Sequence, residues 1–249
     1  MRTTVVVPCY NEAARLPADA FVEFARAWPG GRLLFVNDGS ADETAEVITT
    51  LAARRPESLA AMSLPQNAGK AEAVRQGMLR AFADGADAVG FWDADLATPL
   101  AVIPQFEAVL LRQTPIDIVM GARVRLLGNA VDRKPSRHYL GRGFATVVSW
   151  MLHTHVYDTQ CGAKLFRATP LVRSLFTAPF LSRWVFDVEI LARYLDARAA
   201  RGEDGRHGIR EMPLEDWRDV DGSKVRSHDF LRAGVDLARI SISRRRPPS

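Results

Sequence analysis

The chain has 249 residues, 47% of them hydrophobic and 25% charged, with a formal charge of +4. This length and composition suit one soluble α/β domain with a substantial core, and the mild basic excess suits anionic partners such as phosphates or an acidic membrane surface. Its two cysteines, Cys9 and Cys161, exclude a disulfide framework and favour a reducing compartment, and no apolar stretch reaches the ~20 residues needed to cross a bilayer.

Short apolar runs alternate with helical patterns through the first half. Thr4–Val7, Leu33–Val36, Ala60–Leu64, Val89–Trp92 and Ile116–Met120 are continuous runs of the kind buried on both faces of a sheet. The first run begins at once, so no secretory signal is expected. Between the runs, Ser40-Ala-Asp-Glu43 has the form of a capping box, with Ser40 as the cap. Ala71, Val74, Met78 and Phe82 recur at helical spacing. The alternation predicts a mostly parallel sheet covered by helices on both faces.

From about Gly121 the pattern is less regular. An arginine-rich stretch leads into a predicted helix over Arg137–Leu152, whose apolar part from Phe144 is about half a membrane span. A turn follows at Asp158–Gly162, then a helix near Phe186–Arg198 and an exposed loop over Arg201–His207. A last amphipathic helix runs from about Asp229 to Ile242, and residues 244–249 read as a frayed tail. No linker divides the chain, so a single domain is expected, with residues 1–120 as one half and 121–249 as the other.

In an open parallel sheet, ligands bind outside the carboxyl ends of the strands. Three polar clusters fall there: Pro8-Cys-Tyr-Asn-Glu12, Asn37-Asp-Gly-Ser40 and Asp93-Ala-Asp95. Asp93 and Asp95, one residue apart, fit either a solvated turn with capping aspartates or a hard-oxygen site for Mg²⁺ or Mn²⁺. Asp38 is open between turn chemistry and a bond to a base or ribose. Glu12 is open between a first-turn helix residue and a ligand contact. Gly69-Lys70 opens a helix and makes an anion site. It is not a Walker A loop, because Leu64 and Ala71 occupy the glycine and hydroxyl positions. The GxGxxG fingerprint is also missing, against ATPase and dehydrogenase readings. Arg123, Arg125, Arg133, Lys134, Arg137 and Arg142 form either a solvated basic face or a seat for a phosphate-bearing acceptor. No aromatic stacking series accompanies them, against nucleic acid.

Together these residues resemble glycosyltransferase family 2, with its GT-A (Rossmann-like) fold. The carriers are Val5-Val-Val-Pro-Cys-Tyr-Asn-Glu12, Val36-Asn-Asp-Gly-Ser40, Asn67-Ala-Gly-Lys70 and Asp93-Ala-Asp-Leu96. In the second half, Asp158-Thr-Gln-Cys-Gly-Ala-Lys164, Arg183-Trp-Val-Phe-Asp-Val-Glu189 and Asp221-Gly-Ser-Lys-Val225 are similar to the dolichyl-phosphate β-glucosyltransferase branch. The resemblance implies a metal-dependent, inverting transfer of a sugar, glucose from UDP-glucose above others, to a polyprenyl phosphate. GDP-mannose as donor, or a non-catalytic nucleotide-sugar scaffold, are the alternatives.

It also implies roles. Asp93 and Asp95 would hold Mg²⁺ or Mn²⁺ on the donor diphosphate. Pro8, Tyr10, Asn11, Glu12, Asp38, Gly69, Lys70, Ala94 and Lys224 would line the donor, and Arg123 and Arg137 the acceptor phosphate. Gln160 and Asp187 would face the sugar and acceptor, with Asp187 also a candidate base. Ala97 departs from relatives with a glutamine near the metal, and Gly141 from mannosyltransferases with a serine on the acceptor phosphate. A cytoplasmic protein resting on the membrane from its side is expected. Tyr139, Phe144, Val147, Val148 and Met151 are candidates for an apolar acceptor face, although most suit core packing.

Overall fold

The computed structural model describes residues 1–132, 135–218 and 227–244, without the side chains of 132–140 and 227–231. Nine strands are described. Seven form one sheet in the order β3-β2-β1-β4-β7-β5-β8: β1 (Thr3–Cys9), β2 (Gly31–Asn37), β3 (Leu59–Ser63), β4 (Ala88–Trp92), β5 (Ile118–Ala122), β7 (Ala163–Arg167) and β8 (Ile209–Pro213). Six run parallel, and β7 alone runs antiparallel, between β4 and β5. Because β7 sits inside the sheet, the two sequence halves share one core. The remaining strands, β6 (Ala130–Asp132) and β9 (Asp216–Arg218), pair as a small parallel ribbon just beyond the carboxyl ends of β5 and β8.

Apolar side chains fix which helices cover which face. On one side, α1 (Ala18–Ala27), α2 (Thr44–Ala53) and α4 (Ile103–Arg112) bury Phe21, Ile48, Phe106 and Leu110 against Val5, Val7 and Leu33. On the other, α3 (Lys70–Ala83), α5 (Pro135–Leu152), α6 (Pro170–Ser174), α7 (Phe186–Ala199) and α8 (Ser227–Arg244) pack over Val6, Val36 and Phe91. Val5 and Val7 alternating with Val6 is the strand period of two at work. Ala71, Val74, Met78 and Phe82 lie on the buried side of α3, at the spacing the sequence displays.

Two local readings are corrected. Ser40 does not cap α2, which begins at Thr44: its hydroxyl donates to Asn37 Oδ1 (2.6 Å) and accepts from the Asn11 N–H (3.0 Å), while Asp42 takes the Thr44 N–H (3.1 Å). Arg244 is not part of a frayed tail. It closes α8, pairing with Asp196 (2.7 Å) and donating to the Met151 carbonyl (2.8 Å). Residues 245–249 lie outside the described residues. Both cysteines are buried and free, and no helix among the described residues is long and apolar enough to cross a membrane.

Candidate active site

The rim where β1, β2 and β4 end gathers the predicted donor-side residues. Asn11 takes a left-handed conformation (φ +50°), which asparagine tolerates better than most residues. Its Oδ1 accepts from the Ala41 N–H (3.0 Å), stitching the β1 loop to the β2 loop. Pro8 is half-buried and Tyr10 exposed at the rim. Glu12 is buried beneath it, with a forked ion pair to Arg15 and its N–H donating to Thr44 Oγ1 (2.8 Å). Arg15, which sequence reading missed, lies within electrostatic reach of Asp95.

Asp38 is 2% exposed. Its carboxylate accepts from the Ala68 N–H (2.8 Å), the Gly69 N–H (2.8 Å) and Asn67 Nδ2 (2.9 Å). The loop leading into α3 is therefore hung on Asp38 from one side. Arg183 holds its other side, donating to the carbonyls of Ala68 (2.8 Å) and Asn67 (3.2 Å). Gly69 is required between them: its φ is +95°, and a Cβ there would fall 2.7 Å from Arg183 Nε. Asp38 thus shapes the loop that presents Lys70. Replacing Asp38 by alanine leaves those donors without their acceptor, so a loss of about 1–3 kcal/mol in denaturant unfolding is expected. Donor KM should rise more than kcat falls, and an unchanged unfolding midpoint would refute this role.

Lys70, at the first turn of α3, forms an ion pair with Asp93 at the end of β4. Burial alone would lower its ammonium, but the carboxylates of Asp93, Asp187 and Asp95 outweigh that and raise it, so it stays charged. Asp95 is pushed above the usual carboxylate range, first by burial and then by Asp93. Ala94 between them is buried. Leu96 follows in the left-handed region (φ +54°), unusual for a bulky side chain and of the kind that clusters at functional sites. Gly162 admits Asp93: a Cβ there would fall 1.9 Å from Asp93 Oδ2, and its carbonyl accepts the Asp93 N–H (3.0 Å).

Two carboxylates one residue apart, with burial and Asp93 holding the Asp95 carboxyl up, form a donor set that fits a hard divalent cation. Among the described residues no group of three or more His, Cys, Asp or Glu converges. A cation here would therefore take its other ligands from the donor diphosphate and water.

The acceptor side differs from the sequence expectation. Arg123 is engaged within the fold. It forks onto Asp158 through Nε (2.6 Å) and Nη2 (2.8 Å), and its guanidinium lies 5.2 Å from the Trp217 ring centre. Asp158 is itself placed by Glu211, which accepts the backbone N–H groups of Tyr157 and Asp158 (both 2.9 Å). Spacing alone could not reveal that pair, because 35 residues separate Arg123 from Asp158. Asp187 is likewise engaged. Lys164, 1% exposed, donates to Asp187 (2.5 Å) and to the carbonyls of Thr159 (2.9 Å) and Cys161 (2.7 Å). Gln160 Nε2 and Thr159 Oγ1 are buried in this same turn without a hydrogen-bond partner among the described residues. Arg137 lies in the first turns of α5, but its side chain is outside the described residues, as is Lys224 entirely.

The structure thus brings Glu12, Lys70, Asp93, Asp95, Asp187 and Arg123 into one electrostatic neighbourhood at one end of the sheet. Solved structures of glucosyl-3-phosphoglycerate synthase from Mycobacterium tuberculosis share this GT-A fold. One, in complex with Mn²⁺, uridine diphosphate and glucosyl-3-phosphoglycerate, aligns with a TM-score of 0.66 over 99% of this chain and 81% of that one, at 20% identity. Dolichyl-phosphate β-glucosyltransferases are similar along nearly the whole chain. That of Drosophila melanogaster is 34% identical over 97% of this chain and 75% of its own length. One from Trichomonas vaginalis is 32% identical over 96% and 71%, and the Homo sapiens protein 30% over 96% and 74%. The profile described as Glycosyl transferase family 2 matches residues 4–172, a stretch that holds Glu12, Asp38, Asp93, Asp95 and Asp158, and with these relatives it makes the chain a member of that family.

Proposed function

We propose that this glycosyltransferase moves glucose from UDP-glucose to a polyprenyl phosphate of the dolichyl type, with inversion and with Mg²⁺ or Mn²⁺. The observation that carries the reading is the Asp93/Asp95 pair facing Lys70 at the end of β4. The names of the curated relatives supply the sugar and the acceptor class. The Mn²⁺ and uridine diphosphate in the synthase structures support the metal and the nucleotide.

Asp93 and Asp95 would hold the cation, which when bound offsets negative charge on the leaving diphosphate. Lys70 stands beside them as an ammonium donor that can turn from Asp93 to a phosphate oxygen. A phosphate acceptor is already anionic near neutral pH and needs no base to strip a proton. This suits Asp187, whose carboxylate is tied to Lys164 and so has a positioning task rather than proton abstraction. Gln160 Nε2, an orphaned donor, would find its partner in an oxygen of the sugar or acceptor. Arg137 and Lys224 remain assigned to phosphate groups, with Arg123 backing the acceptor side through Asp158. The protein would act as a peripheral enzyme at the cytoplasmic face of a membrane.

Radiolabelled transfer to a polyprenyl phosphate, run with a panel of nucleotide sugars and with metal or chelator, tests the reading. The expected result is a lipid-linked product that needs UDP-glucose and loses nearly all its rate with chelator. Product formation from GDP-mannose alone would overturn the donor, and full rate in chelator would overturn the metal.

A further inference from the structure

Two helices of the acceptor half carry large apolar side chains into solvent. On α5, Trp150 is 81% exposed and Val147 is about half exposed, one helical turn apart on the same face. On α8, Val235 and Ile242 are both more than half exposed and lie two turns apart, again on one face. Neither face is needed by the core. Val148 and Leu152 already turn inward from α5, and Ala233, Leu237 and Ile240 from α8. The bond from Arg244 to the Met151 carbonyl ties the end of α8 to the end of α5. Exposed apolar groups of this size, gathered on neighbouring helices, mark an interaction surface.

The exposed charges described on α5 and α8 are arginines, and the half-buried carboxylate at the helix ends, Asp196, is paired with Arg244. Arg232 and Arg239 are exposed on α8, and α5 contains no acidic residue. Asp236, half-buried, is turned to Ser182 (2.6 Å) and Arg239. A two-fold contact through this face would gather Arg232 and Arg239 of both copies in one interface, a concentration of like charge that disfavours a second copy of this chain. An anionic lipid surface fits both features: aromatic and branched side chains enter the head-group boundary while arginines meet lipid phosphates.

The placement also joins the site. α5 starts just after β6, in the ribbon beyond the carboxyl end of β5, at the rim. Arg142 on α5 stacks on Tyr157 (4.2 Å), the neighbour of the Asp158 that holds Arg123. A bilayer along α5 and α8 therefore brings lipid head groups to the acceptor end of the site.

We infer that Val147, Trp150, Val235 and Ile242, ringed by Arg232 and Arg239, form the face by which the enzyme docks on an anionic bilayer to collect its acceptor. The inference rests on the lipid-phosphate reading of the acceptor.

Flotation of the full chain with vesicles of phosphatidylcholine, alone or mixed with phosphatidylglycerol, tests it. The full chain should prefer the mixed vesicles. The Trp150→Ser/Ile242→Ser pair should weaken binding by roughly tenfold or more. The Arg232→Glu/Arg239→Glu pair should erase the preference for phosphatidylglycerol, losing about tenfold or more. All these side chains are exposed, so melting temperatures should hold. Transfer to a short, water-soluble prenyl phosphate should also be unchanged, since none of them belongs to the site. Equal binding by both variants would overturn the inference. So would a wild-type dimer that the variants dissolve into monomers without any vesicle binding, which assigns the face to self-association. If vesicle binding is lost as expected but the wild type transfers no sugar to the short acceptor, the docking face stands and the acceptor reading falls.

Discussion

Asp95→Asn is expected to cut turnover by about a thousandfold while leaving the fold intact. The amide keeps the size of the side chain and can still accept the Ala97 N–H now bonded to Asp95 Oδ1 (3.0 Å). What it loses is the charge. Burial and Asp93 hold the Asp95 carboxyl above its ordinary value, so the fold holds that proton more tightly than the unfolded chain does. A carboxyl with a raised folded-state pKa contributes stability that is present at low pH and lost as pH rises through that pKa. At neutral pH the Asp95 charge therefore works against the fold, and the asparagine variant should melt at the wild-type temperature or slightly above. That difference should vanish on acidification. Turnover in the wild type should in turn fall on the acid side, because a metal ligand must be deprotonated, and the limb should move to lower pH as metal is raised. Melting curves across pH, paired with rates under metal titration, check both halves. Near-wild-type turnover of Asp95→Asn with metal in excess would remove the carboxylate pair from the mechanism.

The rim at the ends of β1, β2 and β4 was legible in sequence because parallel strands are continuous apolar runs whose polar sequels must fall at one edge. Val5 to Val7 followed by Asn11 and Glu12, and Val89 to Trp92 followed by Asp93 and Asp95, are of that kind. β7 was hidden for a physical reason. Its run Ala163-Lys-Leu-Phe-Arg167 is broken by Lys164, a charge that reads as solvated yet is sealed in the sheet by three hydrogen bonds. β8 is partly exposed at the sheet edge and carries Arg210 and Glu211, so it lacks an apolar run. The intramolecular partners of Asp38 and Arg123 were hidden for one shared reason. A carboxylate or guanidinium in a motif announces that it will bind something, but only the fold shows whether the partner is a ligand or a neighbouring loop. Ser40 misled likewise: hydroxyl-containing loops satisfy backbone donors in several ways, and a capping box is only one of them.

Lys164→Met carries the largest expected effect on stability, about 3–5 kcal/mol, because it strands a buried carboxylate. Lys164 is 1% exposed and Asp187 5%, and the ammonium also satisfies the carbonyls of Thr159 and Cys161. Methionine fills much of the space and can rest against Phe91, over whose ring the ammonium now sits at 5.3 Å. It donates no hydrogen bond, however. Burial already raises the Asp187 carboxyl, and without Lys164 it rises further. The sign follows as for Asp95: the variant should recover stability as pH falls and Asp187 takes up a proton, and lose it as pH rises. Lys164→Met/Asp187→Leu removes both charges and should regain much of the loss, since an apolar pair of similar volume replaces a buried ion pair at little cost. Activity should not return with it. The turn that Lys164 pins leads into Gly162, whose carbonyl holds the Asp93 N–H at 3.0 Å and whose missing side chain makes room for the Asp93 carboxylate. Loosening that turn moves the carboxylate off its mark. Denaturant unfolding at several pH values, with turnover measured well below each variant's melting temperature, separates the two effects. A single variant as stable as wild type would show that Asp187 does not depend on Lys164, and a fully active double variant would free Asp93 from the turn.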